Sequence, residues 1–83
     1  MNKVLYFSAQ WCGPCKILGP TMDKLRANGM PVQKIDVDSN SEMSAKFGIR
    51  NIPCLILVDG SGNELKRSIG NKPENEILNW YNN

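Results

Sequence analysis

The sequence predicts a single α/β domain over residues 1–83, a four-stranded mixed sheet flanked by helices in the order β-α-β-α-β-β-α. Three observations carry this. Residues 4–7 and Cys54–Val58 are apolar runs without alternation, as in strands covered on both faces. Cys15, Leu18, Met22 and Leu25 recur at the spacing of one helical face. Asp59-Gly60-Ser61-Gly62-Asn63 is a turn-rich stretch between two β-rich runs, the pattern of a hairpin.

The elements follow in order. The first strand covers residues 4–7, and a helix runs from the cysteine pair to about Ala27, where Asn28-Gly29 ends it. Pro20 lies inside that helix and is expected to kink it by removing one backbone hydrogen bond. A second strand is expected at residues 32–37. Ser39 and Glu42 have capping-box spacing and open a short helix, with Met43 and Phe47 facing inward and Gly48 at its end. Beyond Ile52-Pro53 come the third strand, the turn and a fourth strand at Glu64–Ile69. Pro73 suits the first turn of a last helix that turns Ile77, Leu78 and Tyr81 inward. Strands joined across a helix should be parallel with a right-handed crossover, and the last two, joined by a short loop, antiparallel.

Composition excludes several function classes. A net charge of +2, with basic residues scattered along the chain, lacks the clustered patch that phosphate backbones require. Residues 54–58 form the longest apolar run, far short of the roughly 20 residues of a spanning helix. After Met1-Asn2-Lys3 the apolar stretch is also shorter than the 7–15 residues, roughly, of a secretory signal. The expectation is a cytoplasmic monomer that binds neither nucleic acid nor membrane.

Three cysteines and no histidine bound the chemistry further. An odd count argues against a disulfide framework, and half a zinc knuckle at Cys12 and Cys15 would find only Cys54 as a further thiolate. Neither metal nor cofactor is expected. The pair instead sits where a strand ends and a helix begins. Unpaired amides and the positive end of the helix dipole favour a thiolate at Cys12, with donors at Gly13 and Cys15 because Pro14 has no N–H. Such placement lowers a cysteine's pKa from about 8.5 to roughly 7. Cys15, one turn in on the face of Leu18 and Met22, should be the more buried. Cys12 therefore attacks a substrate disulfide, and Cys15 resolves the mixed disulfide.

Trp11-Cys12-Gly13-Pro14-Cys15 resembles the active-site sequence of the thioredoxin family in full. Gly48-Ile49-Arg50-Asn51-Ile52-Pro53 resembles its cis-proline loop, Pro20 its helix proline, and Gly70 the glycine after its last strand. The likeness covers nearly the whole chain. It implies a thioredoxin-like fold of glutaredoxin size, without the opening strand and helix of a full-length member. It also implies a cis bond before Pro53, a backbone at Ile52 that pairs with incoming peptide, and a substrate rim of Trp11, Gly13, Pro14, Ile52, Pro53, Gly70 and Asn71.

Two positions depart from the family pattern. Tyr6 stands where the resemblance leads one to expect a buried aspartate that handles the resolving thiol's proton. Its neighbour Lys34 matches the family's lysine. Tyr6 reads either as a core aromatic with a bonded hydroxyl or, with Lys34, as a modulator of thiol acidity. Cys54 follows the proline where threonine is common. It reads as a buried structural thiol, a further redox sulfur, or a site of inhibitory oxidation.

The resemblance implies a protein-disulfide reductase whose substrates are disulfide-containing proteins, recharged by a thioredoxin reductase or a glutathione system. Gly-Pro between the cysteines resembles the reducing branch, for which thioredoxin itself supplies the reference of about −270 mV, against about −120 mV for a strong oxidant. The alternatives are a glutaredoxin-like hydrogen donor, for example to ribonucleotide reductase, and a binding module indifferent to redox state.

Overall fold

Five consecutive buried residues, Val4 to Ser8, make β1 (Lys3–Ser8) an inner strand of the sheet in a computed structural model that describes residues 1–83. β1 lies between β2 (Val32–Asp36), which runs parallel to it, and β3 (Cys54–Val58), which runs antiparallel. β4 (Glu64–Ile69) pairs antiparallel with β3, giving the order β2-β1-β3-β4. The helices are α1 (Gly13–Ala27), α2 (Ser41–Lys46) and α3 (Glu74–Asn82). No helix is long and apolar enough to cross a membrane.

The inner strands bury alternate residues on opposite faces, which makes the sheet the middle of three layers. Val4, Tyr6, Leu55 and Leu57 pack with Leu18, Met22 and Leu25 of α1 and Ile77 of α3. Leu5, Phe7, Cys54, Ile56 and Val58 face the other way with Ile35, where Met43 and Phe47 of the α2 segment cover them. This explains the missing alternation in residues 4–7: water reaches neither face.

Three local expectations are corrected. The second strand stops at Asp36, because the side chain of Asp36 turns the chain. Its Oδ1 accepts from the amides of Asp38 at 2.8 Å and Ser39 at 3.4 Å. The capping box does not form; Asn40 is the N-cap of α2 and makes no side-chain cap bond. Its amide group donates instead to the Asp36 carbonyl, at 3.3 Å. Pro73 is the extended N-cap of α3, one place before the first turn. Helix α1 carries Pro20 inside it, where the ring removes one backbone donor.

The first two helices end where the sequence places glycine. Gly29 and Gly48 take φ of 108° and 61° after α1 and α2, a region costly for residues with a Cβ.

Candidate active site

The end of β1 delivers Ala9, Gln10 and Trp11 to the top of the sheet, and Cys12 becomes the N-cap of α1 in extended conformation. Gly13 and Pro14 occupy the first helical turn, where the proline's missing amide costs nothing. Cys12 and Cys15 are joined by a disulfide, their Cα atoms 5.2 Å apart. The amide of Cys15 points at the Cys12 sulfur, 3.2 Å away. A helix-start N–H is therefore already aimed at the atom that must carry charge when the bond opens.

One expectation about burial fails. Cys12 and Cys15 are equally covered in the oxidised form, each 4% exposed. The cover over Cys12 comes from Ile52, whose carbonyl oxygen is 3.8 Å from the Cys12 sulfur, and from Val37, which packs with Ile52 on Ala9 and the two cysteines. The pair differs in its neighbours rather than in exposure. The Cys12 sulfur lies against the loop of Ile52 and Pro53, while the Cys15 carbonyl accepts from Tyr6 and Cys15 lines a polar cleft beside α1.

The Ile52–Pro53 peptide bond is cis, and Pro53 is buried. Gly70, with φ of 92°, donates its amide to the Pro53 carbonyl at 2.8 Å, which ties the end of β4 to this loop. Trp11 is 68% exposed, yet its indole N–H donates to Asp38 Oδ2 at 2.9 Å. Asn71 and Pro14 are exposed and Ile52 half-buried.

Tyr6 is fully buried, and its hydroxyl donates to the Cys15 carbonyl at 3.2 Å. Burial raises its pKa, with the nearby Ser8 hydroxyl opposing and the charge of Asp23 adding. Tyr6 is thus a core aromatic with a satisfied hydroxyl, positioned against the backbone of Cys15. Lys34 lies opposite it on β2, exposed, and lines the polar cleft.

Cys54 points to the opposite face of the sheet from Tyr6, 1% exposed among Phe7, Ile35 and Ile56. Burial raises its pKa, with Arg67 lowering it and Glu64 adding to the rise. Two measurements follow. Iodoacetamide at pH 7 should leave Cys54 of the oxidised native protein unlabelled, and should label it once the chain is unfolded. The raised pKa also makes folding favour the neutral thiol. Stability should therefore fall as pH rises above the unfolded thiol's pKa of about 8.5. Cys54→Val should flatten that alkaline limb in urea titrations, and an unchanged limb would remove the burial argument.

The whole chain, residues 1–83, matches the family model for thioredoxin. The chain belongs to the thioredoxin family. Thioredoxin from Haemophilus influenzae is 37% identical over 82 residues, 95% of this chain and 76% of that protein. A bifunctional thioredoxin reductase/thioredoxin from Mycobacterium leprae is 40% identical over 75 residues, 87% of this chain and 16% of that protein. Among solved structures, thioredoxin-2 of a malaria parasite superposes with a TM-score of 0.88 at 28% identity, covering 99% of this chain and 82% of that one. Thioredoxin NaTrxh from Nicotiana alata gives 0.86 at 33% identity, with 95% and 69% covered. Family membership and the disulfide at a helix start make the chain a thiol–disulfide oxidoreductase, active as a protein-disulfide reductase.

Asp38 and Val37 are the site residues that sequence reasoning missed. Asp38 is 27 positions from Trp11, and no spacing rule connects them. The polar cluster Asp36-Val37-Asp38-Ser39-Asn40 signals a turn, and only the sheet shows that this turn lies over the cysteines.

Proposed function

We propose that the chain is a monomeric cytoplasmic electron carrier in which Cys12 is the nucleophile and Cys15 the resolving thiol. The Cys12 thiolate attacks one sulfur of a protein disulfide. A Cys12–substrate S–S bond forms, and the other substrate sulfur leaves as a thiolate that takes up a proton. Cys15, once deprotonated, attacks the Cys12 sulfur and expels the second substrate thiolate. Two electrons have then moved to the substrate, and the Cys12–Cys15 disulfide remains to be reduced. The single observation that carries this assignment is the Cys15 amide directed at the Cys12 sulfur.

Trp11, Gly13, Pro14, Ile52, Pro53, Gly70 and Asn71 serve as the rim that receives extended peptide, with the backbone at Ile52 pairing to it. Exposed Trp11, held by Asp38, supports this use. Nucleic acid and membrane are not among the partners, given the dispersed charge. The electron donor is a thioredoxin reductase, an activity that the Mycobacterium leprae relative carries in its name. The test is insulin disulfide reduction with thioredoxin reductase and NADPH against glutathione and glutathione reductase. Turnover with the first and little with the second is expected. The reverse ratio would replace the donor and make the chain a glutaredoxin-like hydrogen donor.

A further inference from the structure

Cys15 has to lose a proton before it can expel the substrate, and at 4% exposure it has little contact with bulk water. A cleft of about 730 Å³ reaches it from the side of α1, lined among others by Tyr6, Lys16, Asp23, Lys34 and Asp36. A polar space of this size holds water. We infer that this cleft is the exit path for the Cys15 proton and that the Asp23 carboxylate is the group that receives it. The inference rests on the assignment of Cys15 as resolving thiol.

The other titratable groups facing the cleft are Tyr6, Lys16, Lys34 and Asp36. The Tyr6 hydroxyl is committed as a donor to the Cys15 carbonyl, and burial keeps it protonated. Asp36 already accepts two backbone amides through Oδ1, at 2.8 and 3.4 Å, and shapes the turn after β2. Lys16 and Lys34 are cations and favour the thiolate once it forms, without accepting its proton. Asp23 makes neither a hydrogen bond nor an ion pair. Its charge nonetheless reaches the Tyr6 hydroxyl, which donates to the Cys15 backbone carbonyl.

The step balances simply. The Cys15 proton passes through cleft water to Asp23, the freed thiolate forms the Cys12–Cys15 bond, and the departing substrate thiolate is reprotonated from solvent. Acting across water, Asp23 is a positioning residue for that proton. Its contribution should fall below the 10²–10⁴-fold of a base in direct contact, at about ten-fold.

The experiment separates the two chemical steps. Reduced protein reacts at pH 4 with a fluorescent peptide activated as its 2-pyridyl disulfide. Appearance of pyridine-2-thione reports attack by Cys12. A jump to pH 6.5–8 then starts release of the peptide thiol, which reports attack by Cys15. Asp23→Asn should leave the first rate unchanged and slow release about ten-fold, with release now rising more steeply with pH. Asp23→Glu should keep most of the rate, and added imidazole should restore it in Asp23→Asn because the cleft is open to solvent. Unchanged release and pH slope in Asp23→Asn would overturn the inference. So would a slowing that imidazole leaves in place, or one that affects both steps alike. Failure of the wild-type protein to attack at all would instead remove the underlying assignment of roles.

Discussion

Cys12→Ser should bring disulfide reduction down to the buffer rate, a loss of at least about 10³-fold, whereas Cys15→Ser should stop the protein after one event with substrate attached. The asymmetry follows from the site. A hydroxyl at position 12 ionises far above any working pH, and the Cys15 amide cannot turn it into a sulfur nucleophile. In Cys15→Ser the Cys12 sulfur keeps the amide at position 15, so attack proceeds and the mixed disulfide has no resolving partner. Non-reducing gel mobility of protein incubated with a target disulfide gives the readout. A stable adduct from Cys15→Ser and none from Cys12→Ser is the expected pair. Adducts from Cys12→Ser alone would exchange the two roles.

Both variants test a feature that was legible at once. Spacing, strand-to-helix placement and Pro14 already point to Cys12 as a helix-start sulfur, because those are local properties of the chain. Element order was legible for the same reason, since unalternating strands and a helical repeat are written in consecutive residues. The failures come from contacts between distant segments and from local hydrogen bonds that compete with the expected ones. Equal burial of Cys12 and Cys15 depends on Ile52 and Val37, brought together only by the sheet order β2-β1-β3-β4. Ser39 and Glu42 satisfy the capping-box pattern, yet Asp36 captures the Ser39 amide first and the helix starts at Asn40 without a side-chain cap. The β3 register turns Cys54 away from Tyr6 and toward Phe7 and Ile35, a facing that only the strand pairing shows.

Phe7→Ala should have the largest effect on stability, about 3–5 kcal/mol. Phe7 is completely buried on the inner strand β1. It lies opposite Cys54 on one side and Ile35 on the other, and its ring leans on Phe47 at a centroid distance of 5.9 Å. Removing the ring takes away transfer free energy and opens a cavity that a strand paired on both edges cannot close by moving. A domain of this size has a total stability of only about 4–12 kcal/mol, so the variant loses a large share of its margin and unfolds partly where the starting stability is at the low end. In urea, followed by far-ultraviolet circular dichroism, a slope of about 1–1.5 kcal/mol/M converts the loss into a midpoint lower by roughly 2–5 M. Ile17→Ala, on the outer face of α1 at 67% exposure, should move the midpoint by less than about 0.5 M. The contrast matters for function as well, because Phe7 lies two residues before the loop that carries Cys12. Activity in Phe7→Ala should fall in proportion to the folded fraction and recover when stabilising sulfate is added. Activity that stays low in fully refolded protein would mean that Phe7 also holds the Cys12 loop in place, a role that its packing against α2 does not assign to it.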